Sequence, residues 1–299
     1  MRRNNVDRPE HMMILRPFDP WRSSLCTCPE KLSLNPYTGC VHGCLYCYAS
    51  SYIRRFSDCR PKGGIDRLSQ EIARLRGEEL ISLSSSSDPY PPMERELGIT
   101  RSCISLIRRR GLKLQIVTKS DLVLRDVDLL SDMRAAVSMT ITSLRLDSRL
   151  EPGAPSASLR LRAIRRLTDS GVPVAARIDP IIPGINDSEI DALVERVADA
   201  GASYVISSTY KARQDSWRRM SLEFPDVMQS LRPMYFEQGE RIGGYRYLPS
   251  EIRHAILSRV REACHEHGIG FGSCREGFGS DASCDGSHLT EARRHRILR

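Results

Sequence analysis

Two kinds of hydrophobic pattern alternate along the chain. In one, apolar residues recur every three or four positions, as on the buried face of a helix. In the other, short and nearly continuous apolar runs are typical of buried strands. The predicted strands are residues 79–85, 112–120, 135–144, 172–182 and 202–210. The predicted helices are residues 66–79, 101–111, 124–133, 156–171, 186–201 and 248–268.

This alternation predicts an α/β fold. Strands that are separated by helices form a parallel sheet through right-handed crossovers. Counting the strands gives four to six, not eight, which fits a partial (β/α)6 barrel with a C-terminal extension. In such a sheet we expect the chemistry at the carboxyl ends of the strands.

We divide the chain into an N-terminal segment (1–30), the partial barrel (31–215) and a C-terminal extension (216–299). The division rests on a change of pattern after Lys211, where Trp, Phe and Tyr mix with Arg and Gly without clean periodicity. We expect the extension to close the open side of the barrel. Within it, the run GERIGGY at 239–245 is either a plain surface loop or a mobile lid.

The composition is that of an ordinary soluble protein, with 40% hydrophobic and 27% charged residues. The first twenty residues contain no long apolar run, so we expect neither a signal peptide nor a membrane anchor. Ten cysteines in such a chain favour metal or redox chemistry over a disulfide framework. We therefore expect a reducing, cytoplasmic location.

The formal net charge of +8 is compatible with a polyanionic partner. Much of the excess lies in arginine clusters at 54–55, 108–110 and 160–166 and in the terminal run 291–299. Clusters at helical spacing are equally typical of solvated helix faces, so the charge alone decides nothing.

Three cysteines, Cys40, Cys44 and Cys47, lie in the run NPYTGCVHGCLYCYAS, with Tyr46 just before the third. One tight loop with the spacing Cys-x3-Cys-x2-Cys delivers three thiolates to one [4Fe–4S] cluster and leaves the fourth iron open to a chelating small molecule. Zinc sites favour pairs of Cys-x2-4-Cys hooks that are separated by a dozen or more residues, unlike this triplet.

Five sequence blocks follow one another in an order that resembles the spore-photoproduct-lyase-like branch of the radical S-adenosylmethionine (SAM) superfamily. The blocks are NPYTGCVHGCLYCYA, SSDPYPPME, VTKSDLVLRD, RLEPGAPS and DPIIPGIND, spanning roughly residues 31–190. The resemblance implies a radical SAM barrel in which SAM binds the open iron. It also implies an electron donor such as ferredoxin or flavodoxin and reductive cleavage of SAM to a 5′-deoxyadenosyl radical.

The resemblance also implies where SAM binds. The superfamily contacts the SAM amino group just after the second strand, where SSSSDP replaces the usual Gly-Gly-Glu sequence. Lysine at a strand end suits the SAM carboxylate or ribose, and hydroxyls inside a barrel bond either SAM or neighbouring backbone. Arg177, two residues before Asp179, is expected either to contact the ribose or substrate or to form a structural ion pair. The predicted cofactor-binding residues are Tyr46, Ser86, Asp88, Glu94, Lys119, Ser138, Thr140 and Arg177.

A second metal site is predicted from the remaining cysteines. Cys284 lies in SCDGSHL, which matches the signature of the CDGSH-type iron–sulfur proteins, and Cys274 lies ten residues before it. The Cys-x-Cys pair Cys26 and Cys28 would complete four thiolates, with His288 in reserve. Such a set suits zinc or a second iron–sulfur cluster, and the alternative is unligated thiols. We expect Cys59, Cys103 and Cys264 to be structural.

The function predicted from this resemblance is hydrogen abstraction from a nucleobase in DNA or RNA, for repair or modification. Aromatics among arginines in the extension, Trp217, Tyr235, Phe236, Tyr245 and Tyr247, are expected either to stack bases or to pack the extension onto the barrel. A peptide or small metabolite is the alternative substrate. The alternative of another class is an iron–sulfur or zinc protein that binds nucleic acid without turnover.

Overall fold

The protein is built around one sheet of eight strands, seen in a computed structural model that describes residues 15–18 and 23–291. In chain order the strands are β1 (Arg16–Pro17), β2 (Leu32–Leu34), β3 (Tyr37–Thr38), β4 (Arg60–Pro61), β5 (Leu80–Leu83), β6 (Lys113–Thr118), β7 (Ala135–Thr140), β8 (Val174–Ile181), β9 (Tyr204–Thr209), β10 (Glu240–Ile242), β11 (Tyr245–Tyr247) and β12 (Gly270–Ser273). The sheet has the order β1-β2-β5-β6-β7-β8-β9-β12, and two further pairs, β3-β4 and β10-β11, stand apart.

Helices connect the strands, and most of the longer ones pack on the outer face of the sheet. They are α1 (Ile65–Ala73), α2 (Glu94–Leu97), α3 (Ile99–Arg109), α4 (Val127–Leu130), α5 (Asp147–Leu150), α6 (Ala157–Asp169), α7 (Ile190–Asp199), α8 (Gln214–Glu223), α9 (Pro225–Phe236) and α10 (Ser250–Glu266). Short 3₁₀ turns lie at Ala49–Ser51, Asp121–Asp126, Asp187–Glu189 and Ser287–Glu291. Fully buried Ile104, Ile116, Val137, Ile164 and Val194 belong to the main core between these layers.

The predicted fold class is confirmed. The strands β2, β5, β6, β7, β8 and β9 pair in parallel, which gives six parallel strands within residues 31–215. The sheet stays open: β1 pairs antiparallel with β2 at one edge, and β12 pairs parallel with β9 at the other.

The strand β12 belongs to the sheet although it lies in the predicted extension. Its sequence, Gly270 to Ser273, carries two glycines and gives no strand signal. The structure explains them: a Cβ on Gly270 would stand 2.6 Å from the ring of Tyr204, and one on Gly272 would stand 2.8 Å from the Tyr204 hydroxyl. The side chain of Tyr204 lies directly against this strand, so neither position has room for a side chain larger than that of glycine.

Residues 214–247 form two helices and a hairpin, where the sequence showed no clean periodicity. The run GERIGGY forms most of the β10-β11 hairpin, turning at Gly243 and Gly244 with φ of 56° and 81°. Positive φ at both central positions is the geometry of a tight two-residue turn, which favours glycine. The segment is therefore a regular hairpin and not a plain loop.

The C-terminal segment after β12 turns back across the inner face of the sheet. A Cβ on Gly286 would lie 3.0 Å from Ala175 and 3.1 Å from Ile206, two residues on the inner face of β8 and β9. The 3₁₀ turn that follows packs on β6 and β7. This segment therefore covers the lower part of the inner face. The terminal basic run after Glu291 lies outside the described residues.

Within the part of the chain that the structure describes, no helix is both long enough and apolar enough to span a membrane.

Candidate active site

A cavity of about 480 Å³ opens at the carboxyl ends of the parallel strands. Five neighbouring strands, β5 to β9, each contribute a polar side chain to its wall. Ser84, Lys119, Thr140 and Ser208 lie at or just past the ends of β5, β6, β7 and β9, and Arg177 of β8 pairs with Thr140. The loop of residues 40–47 adds Cys44, Tyr46 and Cys47. The cavity thus lies where the fold class predicts chemistry.

Backbone hydrogen bonds hold the cysteine loop on two sides. The Cys40 amide donates to the carbonyl of Phe56 (2.8 Å), and the Leu45 amide donates to the carbonyl of Leu150 (2.9 Å). The Gly153 amide donates to the His42 carbonyl, and a Cβ on Gly153 would lie 2.2 Å from the carbonyl oxygen of Val41. The close approach explains the glycine of the RLEPGAPS block.

The three thiols of this loop form a donor set that suits a [4Fe–4S] cluster. Burial raises the pKa of the Cys40 thiol to about 12, with a smaller contribution from Asp88, and burial also raises the pKa of Cys44. Iron binding displaces such protons because only the thiolate coordinates. Among residues 15–18 and 23–291, no three Cys, His, Asp or Glu side chains are close enough to hold a single metal ion. In a cubane each thiolate binds a different iron, so the thiolates lie farther apart than the ligands of a single metal ion.

Asp88 braces the site and does not line the cavity, so its prediction as a SAM contact needs correction. Its carboxylate lies 3.0 Å from Nε2 of His42 and accepts hydrogen bonds from the Thr118 hydroxyl (2.8 Å) and from the backbone amides of Lys119 (2.8 Å) and Tyr90 (2.9 Å). Burial would raise the pKa of Asp88, but His42 and the amides lower it below its usual value. The carboxylate therefore joins the cysteine loop to the end of β6.

Glu94 is also corrected from a cofactor contact to a structural residue. It is fully buried, and its carboxylate accepts hydrogen bonds from the Tyr37 hydroxyl, the Thr100 amide (2.9 Å) and the Arg125 guanidinium (2.6 Å). Thr100 lies in the first turn of α3, where a carboxylate satisfies amides that lack a partner within the helix. With these partners, Glu94 has little capacity left for a ligand.

Glu151 is a site residue that the sequence analysis missed. It is buried, and it accepts hydrogen bonds from the hydroxyls of Tyr46 and Thr142 (2.7 Å to Thr142). Arg160 lies 2.6 Å from its other oxygen, and Nζ of Lys119 lies 3.9 Å away. Burial would raise the pKa of Glu151, whereas Lys119 and Arg160 lower it. Its position in RLEPGAPS was the available signal, but its burial could not be read from the sequence.

Lys119 and Tyr46, two of the predicted cofactor-binding residues, line the cavity. The Lys119 ammonium stands over the Tyr46 ring, 5.6 Å from its centroid. Burial alone would lower the pKa of Lys119, but Cys44 and Glu151 beside it raise that pKa above its usual value. The lysine therefore places a fixed positive charge beside the cysteine loop, where an anionic ligand group would be stabilised.

The predicted hydroxyls lie at the site in different ways. Ser86 and Thr140 line the cavity, whereas Ser138 lies one pleat below Thr140 on the same face. Ser84 has a left-handed φ of 67°, a strained conformation for serine. The hydroxyls of Ser84 and Ser138 are buried without a hydrogen-bond partner among the described residues. Unpaired buried hydroxyls at the cavity fit a polar ligand such as SAM.

Arg177 lines the cavity and forms the predicted pair with Asp179, at 2.7 Å. Asp179 also accepts a hydrogen bond from the Ser208 hydroxyl. Burial would lower the pKa of Arg177, but Asp179 and Cys274 raise it. The ion pair is thus present and also faces the cavity, and a contact of Arg177 with the ribose or substrate stays a prediction. Lys211, which the sequence analysis did not single out, lines the same wall and pairs with Glu276 at 2.6 Å.

The structure brings together part of the predicted second metal site. Sγ of Cys28 and Sγ of Cys284 lie 3.5 Å apart, and Cys28 and Cys274 both line the cavity. His288 was the proposed reserve ligand, and its Nδ1 already forms a hydrogen bond of 2.7 Å with the Ser283 hydroxyl. Since no three ligands meet within the described residues, the four-thiolate site with Cys26 stays a prediction. Cys59, Cys103 and Cys264 are buried, as expected.

Asp285 of the CDGSH sequence has a structural role. It pairs with Lys31, and its carbonyl accepts a hydrogen bond from the Gln115 side chain (2.6 Å). All three residues line the cavity. They form its floor, where the two ends of the chain meet the middle of β6.

Comparison with known proteins decides the family. The sequence model of the radical SAM superfamily matches residues 34–197, just over half of the chain. This chain belongs to the radical SAM superfamily. It is therefore an enzyme whose cofactors are a [4Fe–4S] cluster and SAM, as the sequence analysis predicted. When bound, these cofactors supply one-electron reductive cleavage of a carbon–sulfur bond.

Relatives of this radical SAM protein occur in archaea and bacteria. An uncharacterised protein of Methanocaldococcus jannaschii is 34% identical over 165 residues, which cover 53% of this chain and 63% of that protein, a little under two thirds of its length. An uncharacterised protein of Mycobacterium tuberculosis is 26% identical over 260 residues, which cover 78% of this chain and 73% of that protein.

Solved structures share the fold. Spore photoproduct lyase with bound AdoMet and dinucleoside spore photoproduct has a TM-score of 0.66 at 18% identity, covering 84% of this chain and 78% of the lyase. The radical SAM methyltransferase TsrM from Kitasatospora setae, with tryptophan and a SAM analog, has a TM-score of 0.54 at 14% identity, covering 87% and 57%. The resemblance to the lyase therefore extends from the sequence blocks to the whole fold.

We expect Cys40, Cys44 and Cys47 to hold the cluster. Replacing all three with Ala removes one cubane, a loss of about four irons per chain after anaerobic reconstitution. The matched control replaces Cys59, Cys103 and Cys264 with Ala, which removes as many thiols but leaves the loop intact. Iron analysis and Mössbauer spectroscopy measure the difference. An unchanged iron content in the first variant would refute the assignment.

We expect Lys119→Met to weaken SAM binding at least about tenfold, because it deletes a charged partner that contributes roughly 1.5–3 kcal/mol. The control is Lys113→Met at the other end of β6, where the lysine pairs with exposed Glu78 and Glu291. Equilibrium dialysis of the reconstituted proteins gives the two affinities. Equal SAM affinity in both variants would contradict the role of Lys119.

Proposed function

We propose that this radical SAM enzyme abstracts a hydrogen atom from a nucleobase in a polynucleotide, to repair or modify it. The observation that carries this proposal is a groove of about 1230 Å³ beside the cavity. Tyr245 lines both spaces, so the groove is adjacent to the cavity. Six arginines line the groove: Arg213, Arg218, Arg219, Arg232, Arg241 and Arg246.

The charge of this groove suits a phosphate backbone. Among its described lining residues Asp215 is the single carboxylate against six guanidiniums. Arginine also binds phosphate through two parallel hydrogen bonds. A groove with this excess of positive charge attracts a polyanion, and release of counterions adds to the binding free energy.

The aromatic residues divide into two groups. Tyr235, Tyr245 and Tyr247 are buried, which fits the expectation that aromatic residues pack the extension onto the barrel. Trp217 and Phe236 are partly buried on the groove wall, and the guanidiniums of Arg232 and Arg246 stand 5.3 and 5.5 Å from the Phe236 centroid. Such arginine–aromatic walls favour stacked bases.

Two further tyrosines, Tyr48 and Tyr52, line the cavity next to the cysteine loop. Both are more than a third exposed, and their rings are stacked with centroids 6.4 Å apart. Their exposed faces offer a stacking surface where a base would enter from the groove. The fold shared with the lyase bound to a dinucleoside lesion supports the same substrate class. A peptide or small metabolite would not need the groove.

Label transfer tests the substrate class directly. The reduced enzyme is incubated with SAM and with deuterated DNA, RNA, peptide or metabolite fractions, and 5′-deoxyadenosine is isolated for mass spectrometry. We expect deuterium in 5′-deoxyadenosine from a nucleic-acid fraction only. Label from the peptide or metabolite fraction alone would replace the nucleobase with the alternative substrate. The Cys40, Cys44 and Cys47 triple variant is the blank.

Binding of a single-stranded oligonucleotide tests the groove. Replacing Arg232, Arg241 and Arg246 with Gln removes three phosphate contacts, so the slope of log affinity against log salt falls by about 2. The charge-matched control replaces the exposed Arg109, Arg162 and Arg166, which lie on α3 and α6 away from the groove. Fluorescence anisotropy across a salt series measures both. Equal slopes in the two triple variants would place the binding surface elsewhere.

A further inference from the structure

Helix α8 contacts the groove and the cysteine loop at the same time. Arg219 on this helix donates hydrogen bonds to the carbonyl of Leu45 (3.0 Å), the carbonyl of Cys47 (2.8 Å) and the hydroxyl of Ser50 (3.1 Å). The guanidinium of Arg219 thus holds the loop backbone at Leu45 and at Cys47, next to the second and third thiols.

Asp215, one turn earlier on α8, completes this contact. Its carboxylate accepts hydrogen bonds from the hydroxyls of Ser50 (2.6 Å) and Ser51 and lies 3.1 Å from the Arg219 guanidinium. Burial would raise the pKa of Asp215, but Ser50, Ser51 and Arg219 lower it, so the carboxylate is ionised at neutral pH.

This contact is open to a ligand in the groove. The side chains of Arg219 and Asp215 are 31% and 34% exposed, and both line the groove. By contrast, His42 and Asp88, which join the loop to β6, are buried. An anionic strand in the groove therefore meets the same guanidinium that holds the Cys47 carbonyl.

We propose that Arg219 is a positioning residue that couples occupancy of the groove to reduction of the cluster. Reduction adds an electron to a cluster already bound by thiolates, so a nearby cation stabilises the reduced form. A strand that neutralises Arg219 or draws it away makes reduction less favourable. By reciprocity, the oxidised enzyme binds the strand more tightly than the reduced enzyme. The part that involves the strand rests on the proposed function.

The first experiment measures how Arg219 alone affects the reduction potential of the cluster. The reconstituted enzyme is titrated potentiometrically without any oligonucleotide, and EPR spectroscopy follows the reduction. Arg219→Gln should make the reduction potential more negative, Arg219→Lys should restore most of it, and Asp215→Asn should shift it the opposite way because it removes a negative charge. The control Arg241→Gln removes a groove charge that has no contact with the loop, and should leave the potential unchanged. If Arg219→Gln and Asp215→Asn shift it in the same direction, loop disruption is the cause and the proposal fails.

A saturating single-stranded oligonucleotide tests the coupling. The wild type and Arg241→Gln should shift to a more negative potential by the same amount, whereas Arg219→Gln should not shift. The affinity ratio between oxidised and reduced enzyme should exceed one in the wild type and fall towards one in Arg219→Gln. If the potential of Arg219→Gln shifts as much as that of the wild type, the coupling is refuted, whereas the proposed nucleic-acid substrate is not. No oligonucleotide binding to the wild type removes the nucleic-acid substrate and the coupling together.

Discussion

Two buried carboxylates fix the cysteine loop against the sheet, and the rest of the site depends on them. A buried charge must be compensated by opposite charge and hydrogen bonds, or it costs several kcal/mol. Asp88 finds its compensation in His42 of the loop and in the amide of Lys119 at the end of β6. Glu151 finds it in Tyr46 of the loop and in the cations of Lys119 and Arg160.

Each carboxylate thus has one partner in the loop and one in the sheet, so the compensation of charge also sets geometry. Tyr46 and Lys119 are held in position beside the cysteine loop because moving either of them would weaken the compensation of Glu151. This preorganisation is what a site needs to bind SAM in one orientation before the chemistry begins. The cavity wall still offers the unpaired hydroxyl of Ser84 to a ligand.

The sequence was sufficient for most of the parallel sheet. Alternating periodicities predicted the five strands β5 to β9 but not the three-residue strand β2. The rule that chemistry lies at strand ends pointed to Lys119 and Thr140, which line the cavity, and their contact with SAM stays a prediction. The same rule failed for Asp88 and Glu94, because proximity to a strand end does not reveal whether a carboxylate turns outward to the cavity or inward to the protein. Which partners a side chain finds depends on tertiary packing. The strand β12 was missed for a similar reason, since its glycines are explained only by the ring that covers them. The groove combines α8, α9 and a hairpin that mix aromatic residues with arginines, a composition that periodicity does not resolve.

The ion pair between Lys31 and Asp285 has a consequence for the order in which the site is assembled during synthesis. A chain leaves the ribosome from its N-terminus, and its early parts begin to fold first. Lys31 and the cysteine loop are synthesised well before Asp285, which pairs with Lys31 beneath the cavity from 254 residues further along the chain. The floor of the cavity therefore forms only after residue 285 has been made. Until residue 285 docks, the side chain of Gln115 in the middle of β6 lacks its partner at Asp285, and the lower side of the cavity stays uncovered.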